Sequence, residues 1–149
     1  MKILLAIDDS TFSEAATQAV VDRFRPEGAE ILVFTVVDLV NYFSDEKTAE
    51  AWIPNIEEIR LSRLHHASEL VERAASLLKA AGFKPEVGIS EGDPKARIVE
   101  KAEDWNADLI VMGSHGRKAF DRALLGSVSE AVARHAPCSI AIIRVRPTG

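Results

Sequence analysis

Three runs of consecutive apolar residues constrain the fold of this chain more than any other feature. They are Ile3–Ile7, Ile31–Phe34 and Leu109–Met112, and each is apolar at every position. A strand that is covered on one face alternates apolar and polar residues, whereas a strand buried on both faces is apolar throughout. The runs therefore predict a mostly parallel sheet between two layers of helices.

Strands and helices alternate along the whole chain. The length of 149 residues suits one domain, residues 1–149, because domains cluster near roughly 100–150 residues. Segments with helical spacing separate the apolar runs, which is the order of a β-α-β protein. We therefore predict an α/β fold with five strands: Ile3–Ile7, Ile31–Val37, Pro85–Ile89, Asp108–Met112 and Ser139–Val145.

Helix signals place four helices between these strands. The first is predicted to begin near Ser10 or Ser13, and the second carries the clearest apolar stripe and ends before a C′ glycine. The third has an N-cap Asp and a first-turn Pro, and the fourth begins at about Ser127. The least regular region is predicted to be either a lid over a site or a packed surface loop. The residues concerned are Ala15, Ala16, Ala19, Val20 and Phe24 on the inner face of the first helix; Leu64, Ala67, Val71, Ala74, Leu78, Ala81 and then Gly82 for the second; Asp93, Pro94, Ile98, Val99 and Ala102 for the third; Ser127–His135 for the fourth; and Asp38–Asn55 for the irregular region.

Charge and composition exclude several classes of function. The net charge of −5 gives no general attraction to nucleic acid, which requires a clustered excess of Lys and Arg. The N-terminal apolar run reaches Asp8 too soon for a signal peptide or a membrane span, so we expect a cytoplasmic protein without membrane contact. The single cysteine, Cys138, excludes an internal disulfide and is interpreted as a small buried apolar residue.

A glycine-rich loop follows the fourth predicted strand. It starts with Gly113–Gly116, and a second Gly-Ser pair, Gly126 and Ser127, opens the last predicted helix. Glycine tolerates positive φ and close backbone approach, so successive N–H groups can converge on phosphate oxygens. The helix N-terminus adds free N–H donors and a positive dipole end, and the hydroxyls of Ser127 and Ser129 can donate as well. The loop predicts a site for a phosphorylated ligand.

This loop resembles the nucleotide loop of the universal stress protein family, G-x2-G-x9-G-[ST]. Gly113, Gly116, Gly126 and Ser127 fill the pattern without a gap or a substitution. The resemblance covers the whole chain. It also includes Ile3–Ser10, Val36–Asp38, Glu91–Pro94, Ala107–Gly116 and Ala136–Ile140.

The resemblance implies an open five-stranded parallel sheet of order 3-2-1-4-5 with helices on both faces. It implies that ATP lies between the edge of the first strand and the glycine loop. It also implies a homodimer, and in this order Ser139–Ile143 is an edge strand whose unpaired backbone groups invite a partner. The implied binding residues are Ala6, Ile7, Asp8 and Val36 beside adenine and ribose, Met112 before the loop, and Gly113, Ser114, His115, Gly116, Arg117, Lys118, Gly126, Ser127, Val128 and Ser129 around ribose and phosphates.

Two acidic residues follow the first strand and admit alternatives. Asp8 either accepts a hydrogen bond from a ribose hydroxyl or serves as an N-cap or turn residue. Asp9 stands where many members of the family have glycine. A second carboxylate near phosphates repels them, so either Asp9 points away or it helps to hold a magnesium ion. The metal site is left unassigned.

The leading functional hypothesis is an ATP-binding regulatory or stress-response protein whose downstream partner the sequence does not name. One alternative is a slow ATPase or phosphate-transferring enzyme that uses Asp8 or Asp9 with magnesium and Lys118. Against it, the chain lacks G-x-x-x-x-G-K-[ST] and an obvious residue to position water, and His115 is interpreted as a turn-stabilising side chain. No catalytic residue is assigned. The other alternative is a dimerisation module with a vestigial site.

Overall fold

The computed structural model describes residues 1–39, 56–116 and 124–145. Arg117, Lys118 and the part of the irregular region from position 40 onward lie outside the described residues. In chain order the elements are β1 (Lys2–Ala6), α1 (Thr11–Arg23), a short 3-10 helix (Pro26–Gly28), β2 (Glu30–Val37), α2 (Ile56–Ala80), β3 (Glu86–Glu91), α3 (Pro94–Asp104), β4 (Leu109–Gly113), α4 (Ser127–His135) and β5 (Ser139–Ile143).

The five strands form one parallel sheet in the order β3-β2-β1-β4-β5. This confirms the predicted fold class and strand order. The predicted strand bounds differ from the observed ones by at most two residues, the largest shifts being the ends of β3 and β5. Because every strand runs in the same direction, the C-terminal ends of all five meet at one edge of the sheet.

The sheet is covered on both faces, as the continuous apolar runs predict. Residues 3, 5, 31 and 33 face α1 and α2, whereas residues 4, 6, 32 and 34 face α3 and α4. Ile3, Leu4 and Leu5 of the central strand are fully buried. Burying each such side chain contributes roughly 1.5–3 kcal/mol relative to its exposure, so β1 stabilises both layers at once.

The helix ends follow local sequence signals. Ser10 caps α1 by accepting from the Ser13 N–H, and Asp93 caps α3 by accepting from the Lys95 N–H, with Pro94 in the first turn. After α2, Gly82 adopts φ +97°, which favours glycine. Both caps and the glycine lie at or beside the predicted positions.

The inner face of α1 is more polar than predicted. Ala16, Ala19 and Val20 are buried, but Ala15 and Phe24 are only partly buried, and Ser13 and Thr17 are buried instead. Hydrogen bonds compensate for burying these hydroxyls, because the Thr17 hydroxyl donates to the Ser13 carbonyl at 3.0 Å and the Ser13 hydroxyl donates to Asp8, two residues after β1.

The helices of the described ranges include none that is both long enough and apolar enough to cross a membrane. The 25-residue helix α2 is amphipathic, since only its Ala67, Val71, Ala74, Ala75 and Leu78 are buried.

Candidate functional site

A cleft lies at the C-terminal edge of the sheet, next to the first turns of α3 and α4. Its floor is apolar, and every floor residue belongs to the core under α3 and α4 or packs against it. Its rim carries hydroxyl, carboxylate and imidazole groups. The floor consists of Ala6, Phe34, Val36, Ile98, Met112 and Val128, and the other lining residues are Ile7, Asp8, Ser13, Thr35, Pro94, Gly113, His115, Gly116 and Ser129. Such a cleft suits a ligand with a flat apolar part and a polar tail.

Asp8 uses its two carboxylate oxygens differently. Oδ1 accepts from the Ser10 N–H at 2.9 Å and from the Ser13 hydroxyl at 2.8 Å, while the Asp8 N–H donates to the Ser13 oxygen at 2.7 Å. Oδ2 lies against Gly116, since a Cβ added there would be 2.9 Å from it. The turn role proposed for Asp8 is therefore seen at Oδ1, whereas Oδ2 faces Gly116 of the glycine loop.

The first turn of α4 has unused backbone donors. Gly126 is the N-cap, with φ −64° and ψ 157°, and among the described residues no side chain caps the helix. The first helical bond runs from the Glu130 N–H to the Gly126 carbonyl at 2.9 Å. Within the described parts of the chain, the N–H groups of Ser127, Val128 and Ser129 therefore have no acceptor. These donors and the helix dipole make this turn attractive to an anion.

The carbonyl of Ser114 holds α4 against the end of β4. It accepts from the Gly126 N–H at 2.8 Å and from the Ser129 hydroxyl at 2.7 Å. The Ser129 hydroxyl proton, predicted to be available to phosphate, is thus already used within the protein. The Ser127 hydroxyl, on an exposed residue, is left as the side-chain donor of this turn.

His115 is buried between the end of β4 and the residues that precede α4. Its Nδ1 lies 2.9 Å from the Ser114 hydroxyl oxygen, and its Nε2 contacts the Leu124 carbonyl oxygen. The ring centroids of His115 and Phe12 are 5.0 Å apart. This arrangement agrees with the interpretation of His115 as a turn-stabilising side chain.

The glycines of the loop are explained by close contacts within the protein. A Cβ at Gly113 would lie 2.6 Å from the Phe12 Cβ, and one at Gly126 would lie 3.1 Å from the His115 Cα. Gly82 and Gly92 are the described glycines with positive φ. Gly113, Gly116 and Gly126 do not have positive φ, so close approach is the property of glycine that the structure shows here, most strongly at Gly113 against Phe12.

Ten of the predicted site residues line the cleft. They are Ala6, Ile7, Asp8, Val36, Met112, Gly113, His115, Gly116, Val128 and Ser129. Ser114 is buried behind it, and Gly126 and Ser127 form the adjoining start of α4. Arg117 and Lys118 lie outside the described residues.

Five lining residues are not among the predicted site residues. Ser13, Phe34, Thr35, Pro94 and Ile98 reach the cleft from α1, β2 and α3. Thr35 joins β2 to the residue that follows β1, since its buried hydroxyl donates to the Ile7 carbonyl at 2.7 Å. The sequence contains a signal for three of them. Phe34 and Thr35 directly precede Val36 at the predicted C-terminal edge of the sheet, and Pro94 is predicted to start a helix on the same edge.

Asp9 is directed to α2 rather than to the cleft. Its Oδ2 lies 3.3 Å from Nε2 of His66. The neighbouring His65 pairs with Glu69 at 3.0 Å on the exposed side of α2. The residues that the structure describes include no cluster of three His, Cys, Asp or Glu side chains suited to a metal. Of the two alternatives for Asp9, the geometry matches the one in which it points away.

Two titratable groups outside the cleft have shifted pKa values. Hydrogen bonds from Arg60 to Glu91 and Glu57 raise the pKa of the Arg60 guanidinium, and the bidentate pair with Glu91 joins α2 to the end of β3. Burial, with the Asp108 carboxylate as a second cause, raises the pKa of the half-buried Cys138 thiol. A raised pKa keeps this thiol protonated and unreactive near neutral pH.

Comparison with known proteins identifies relatives over nearly the whole chain. The sequence model of the universal stress protein family matches residues 1–144. A Staphylococcus aureus (strain USA300) protein named for the same family is 34% identical over 144 residues, which cover 95% of this chain and 82% of the relative.

Solved structures share the complete fold. The hypothetical protein MJ0577 superimposes with a TM-score of 0.83 at 28% identity, covering 99% of this chain and 97% of the other. The universal stress protein UspA from Lactobacillus plantarum gives a TM-score of 0.79 at 26% identity, with 97% of each chain covered. Both similarities extend over the sheet and its two helical layers.

Two more distant structures of the same fold contain nucleotides. A universal stress protein family member from Arabidopsis thaliana was solved with AMP bound, and it has a TM-score of 0.69 at 21% identity over 98% of this chain. A universal stress protein in complex with cAMP has a TM-score of 0.64 at 22% identity, again over 98% of this chain.

Proposed function

Because the chain belongs to the universal stress protein family, we propose that it is an ATP-binding regulatory protein whose conformation or partner affinity changes with bound nucleotide. The observation that carries the proposal is the uncapped first turn of α4 beside an apolar cleft. A nucleotide has both parts that this arrangement would accept, a flat base and an anionic tail.

The phosphates are proposed to bind at the start of α4. The N–H groups of Ser127, Val128 and Ser129 supply charge-assisted hydrogen bonds, each worth roughly 1.5–3 kcal/mol. Magnesium, where it accompanies ATP, is expected to take its ligands mainly from phosphates and water, as it usually does in proteins.

The base and ribose are proposed to lie over the floor of the cleft. Phe34, Val36 and Met112 offer apolar surface to a purine ring. Oδ2 of Asp8, which faces Gly116, is placed to accept from a ribose hydroxyl. The distant relatives solved with AMP and cAMP support adenine as the base.

Binding is favoured over phosphate transfer. The enzyme alternative needs Asp8 or Asp9 beside the phosphates, but Oδ1 of Asp8 is held by Ser10 and Ser13, its Oδ2 is proposed to contact the ribose, and Asp9 contacts His66. A vestigial site is disfavoured because Gly113, Gly116, Gly126 and Ser127 are all intact in the loop pattern.

Ligand release and calorimetry test this proposal together. The purified protein is denatured and the released ligand identified by mass spectrometry, and the ligand-free protein is then titrated with ATP, ADP, AMP and adenosine. We expect ATP to be recovered and to bind at least a hundredfold more tightly than adenosine, since two N–H contacts suffice for that ratio. Recovery of ADP alone would support the ATPase alternative, and equal affinity for ATP and adenosine would contradict the phosphate site.

We also propose that the protein forms a homodimer through β5. Within the described chain β5 pairs only with β4, so one side of this edge strand has no strand partner. Its Ile140, Ala141 and Ile142 are only half-buried. Light scattering at high micromolar concentration should give the dimer mass, and Ile142→Lys should give the monomer mass. Val87→Lys in the opposite edge strand is the matched control, and a monomeric unmodified protein would refute the dimer.

The cytoplasmic location stays a prediction.

A further inference from the structure

We propose that His115 is a positioning residue for the nucleotide, acting through the Leu124 carbonyl to hold the first turn of α4 at the cleft. The inference rests on the proposed function, because it concerns how the phosphate donors are kept in place. His115 thereby acquires a role other than contact with the ligand or proton transfer.

The contacts of His115 join residues on either side of positions 117–123. Nδ1 meets Ser114 at the end of β4, and Nε2 meets the carbonyl of Leu124, two residues before the N-cap of α4. His115 is 8% exposed, and its ring packs against Phe12. The imidazole is therefore held by side-chain and backbone contacts from three parts of the chain.

A second set of contacts acts at the same junction. The Ser114 carbonyl accepts from the Gly126 N–H and from the Ser129 hydroxyl. Both sets fix the approach to α4, but they satisfy no N–H of Ser127, Val128 or Ser129. The junction therefore sets the direction of the α4 donors while leaving them available to an anion.

The chemistry of the two contacts defines the tautomer of the ring. A backbone carbonyl only accepts hydrogen bonds, so Nε2 of His115 carries the proton and donates to Leu124. In the neutral ring Nδ1 then accepts from the Ser114 hydroxyl. Glutamine and asparagine each imitate one nitrogen of the ring. The amide nitrogen of Gln reaches the position of Nε2, whereas that of Asn reaches only the position of Nδ1.

The test compares His115→Gln with His115→Asn. ATP and adenosine affinities are measured by calorimetry, and hydrogen exchange of the Gly126 amide is measured without nucleotide. For His115→Asn we expect the ratio of ATP to adenosine affinity to fall about tenfold, which corresponds to about 1.4 kcal/mol, and the Gly126 amide to exchange faster. His115→Gln should restore both quantities towards those of the unmodified protein.

Equal ATP-to-adenosine ratios in the two variants would overturn the proposal, as would a parallel loss of adenosine binding. If a variant fails to fold, the tautomer of His115 in the unmodified protein still tests the proposal. Nitrogen-15 spectra of His115 should show Nε2 protonated and Nδ1 unprotonated, and the reverse pattern would also overturn the proposal.

The proposal and the nucleotide function can fail separately. If the unmodified protein binds neither ATP nor adenosine, the proposed function is wrong. The contrast in Gly126 exchange between the Gln and Asn variants would still decide whether His115 holds the start of α4.

Discussion

Helices α3 and α4 both begin at the same cleft, yet their N-termini are capped differently. In α3 the carboxylate of Asp93 accepts from the Lys95 N–H, and Pro94 has no N–H to satisfy. In α4 the N-cap is Gly126, no side chain accepts from the first turn, and three N–H groups are left without an acceptor in the described chain. The first terminus is completed by its own chain, whereas the second requires water or an anion.

Because of this difference, the start of α3 contributes to the stability of the fold, whereas the start of α4 is available for ligand binding. A self-capped terminus stabilises its helix by about 1 kcal/mol without any ligand. An uncapped terminus forgoes that stability and leaves its donors for a bound anion. Substitutions at α3 should therefore act mainly on folding, and those at the start of α4 mainly on nucleotide affinity.

The largest expected effect comes from placing a negative charge at the start of α4. Two unit charges about 5.5 Å apart repel by roughly 3 kcal/mol at an effective dielectric constant of about 20, so Ser127→Glu should weaken ATP binding about a hundredfold. Ser127→Gln, of nearly equal size, should bind ATP within a few-fold of the unmodified protein. The Glu variant should melt no lower than the Gln variant, because an acid in the first turn stabilises a helix. Equal ATP affinities of the Glu and Gln variants by calorimetry would show that the phosphates do not bind at the start of α4.

An intermediate effect is expected when α4 is given the proline that α3 has. Ser127→Pro deletes one N–H, and the extended conformation of Gly126, φ −64° and ψ 157°, is compatible with a following proline. ATP affinity should fall about tenfold relative to Ser127→Ala, which removes the hydroxyl but keeps the N–H. The proline variant should melt at or above the alanine variant. If both variants bind ATP alike, the Ser127 N–H does not contact the ligand.

The smallest effect on binding is expected at α3. Asp93→Ala should cost about 1 kcal/mol of unfolding free energy through loss of the cap, which lowers the melting temperature by roughly 2–4 °C for a domain of this size. ATP affinity should stay within twofold. Asp93→Ser, which keeps a capping oxygen, should recover most of the lost stability. A large loss of ATP affinity at unchanged stability would mean that both helix termini bind the ligand.

The sequence predicts the parts of this picture that depend on local signals. The adjacent residues Asp93 and Pro94 are enough to predict where α3 starts. Continuous apolar runs are enough to predict strands that are covered on both faces. The three spaced glycines and one serine of the loop pattern also identify the region of the site. Each of these features can be recognised without knowing how the chain folds.

Other parts depend on contacts between distant positions. Whether Gly126 donates to a ligand or to the protein depends on Ser114, and the direction of Asp9 depends on His66, 57 residues later. Phe34 and Thr35 belong to a predicted strand, but strand register and helix placement decide that they line the cleft. Periodicity and spacing do not specify such contacts.

The most direct test of the phosphate site observes the α4 donors themselves. Amide proton and nitrogen resonances of Ser127, Val128 and Ser129 are recorded during titration with ATP and, separately, with adenosine, and Lys95 at the start of α3 serves as the internal reference. The account predicts that the α4 amide protons move downfield with ATP, that they move much less with adenosine, and that Lys95 stays in place with both. Unmoved α4 amides in the ATP-saturated protein would contradict it.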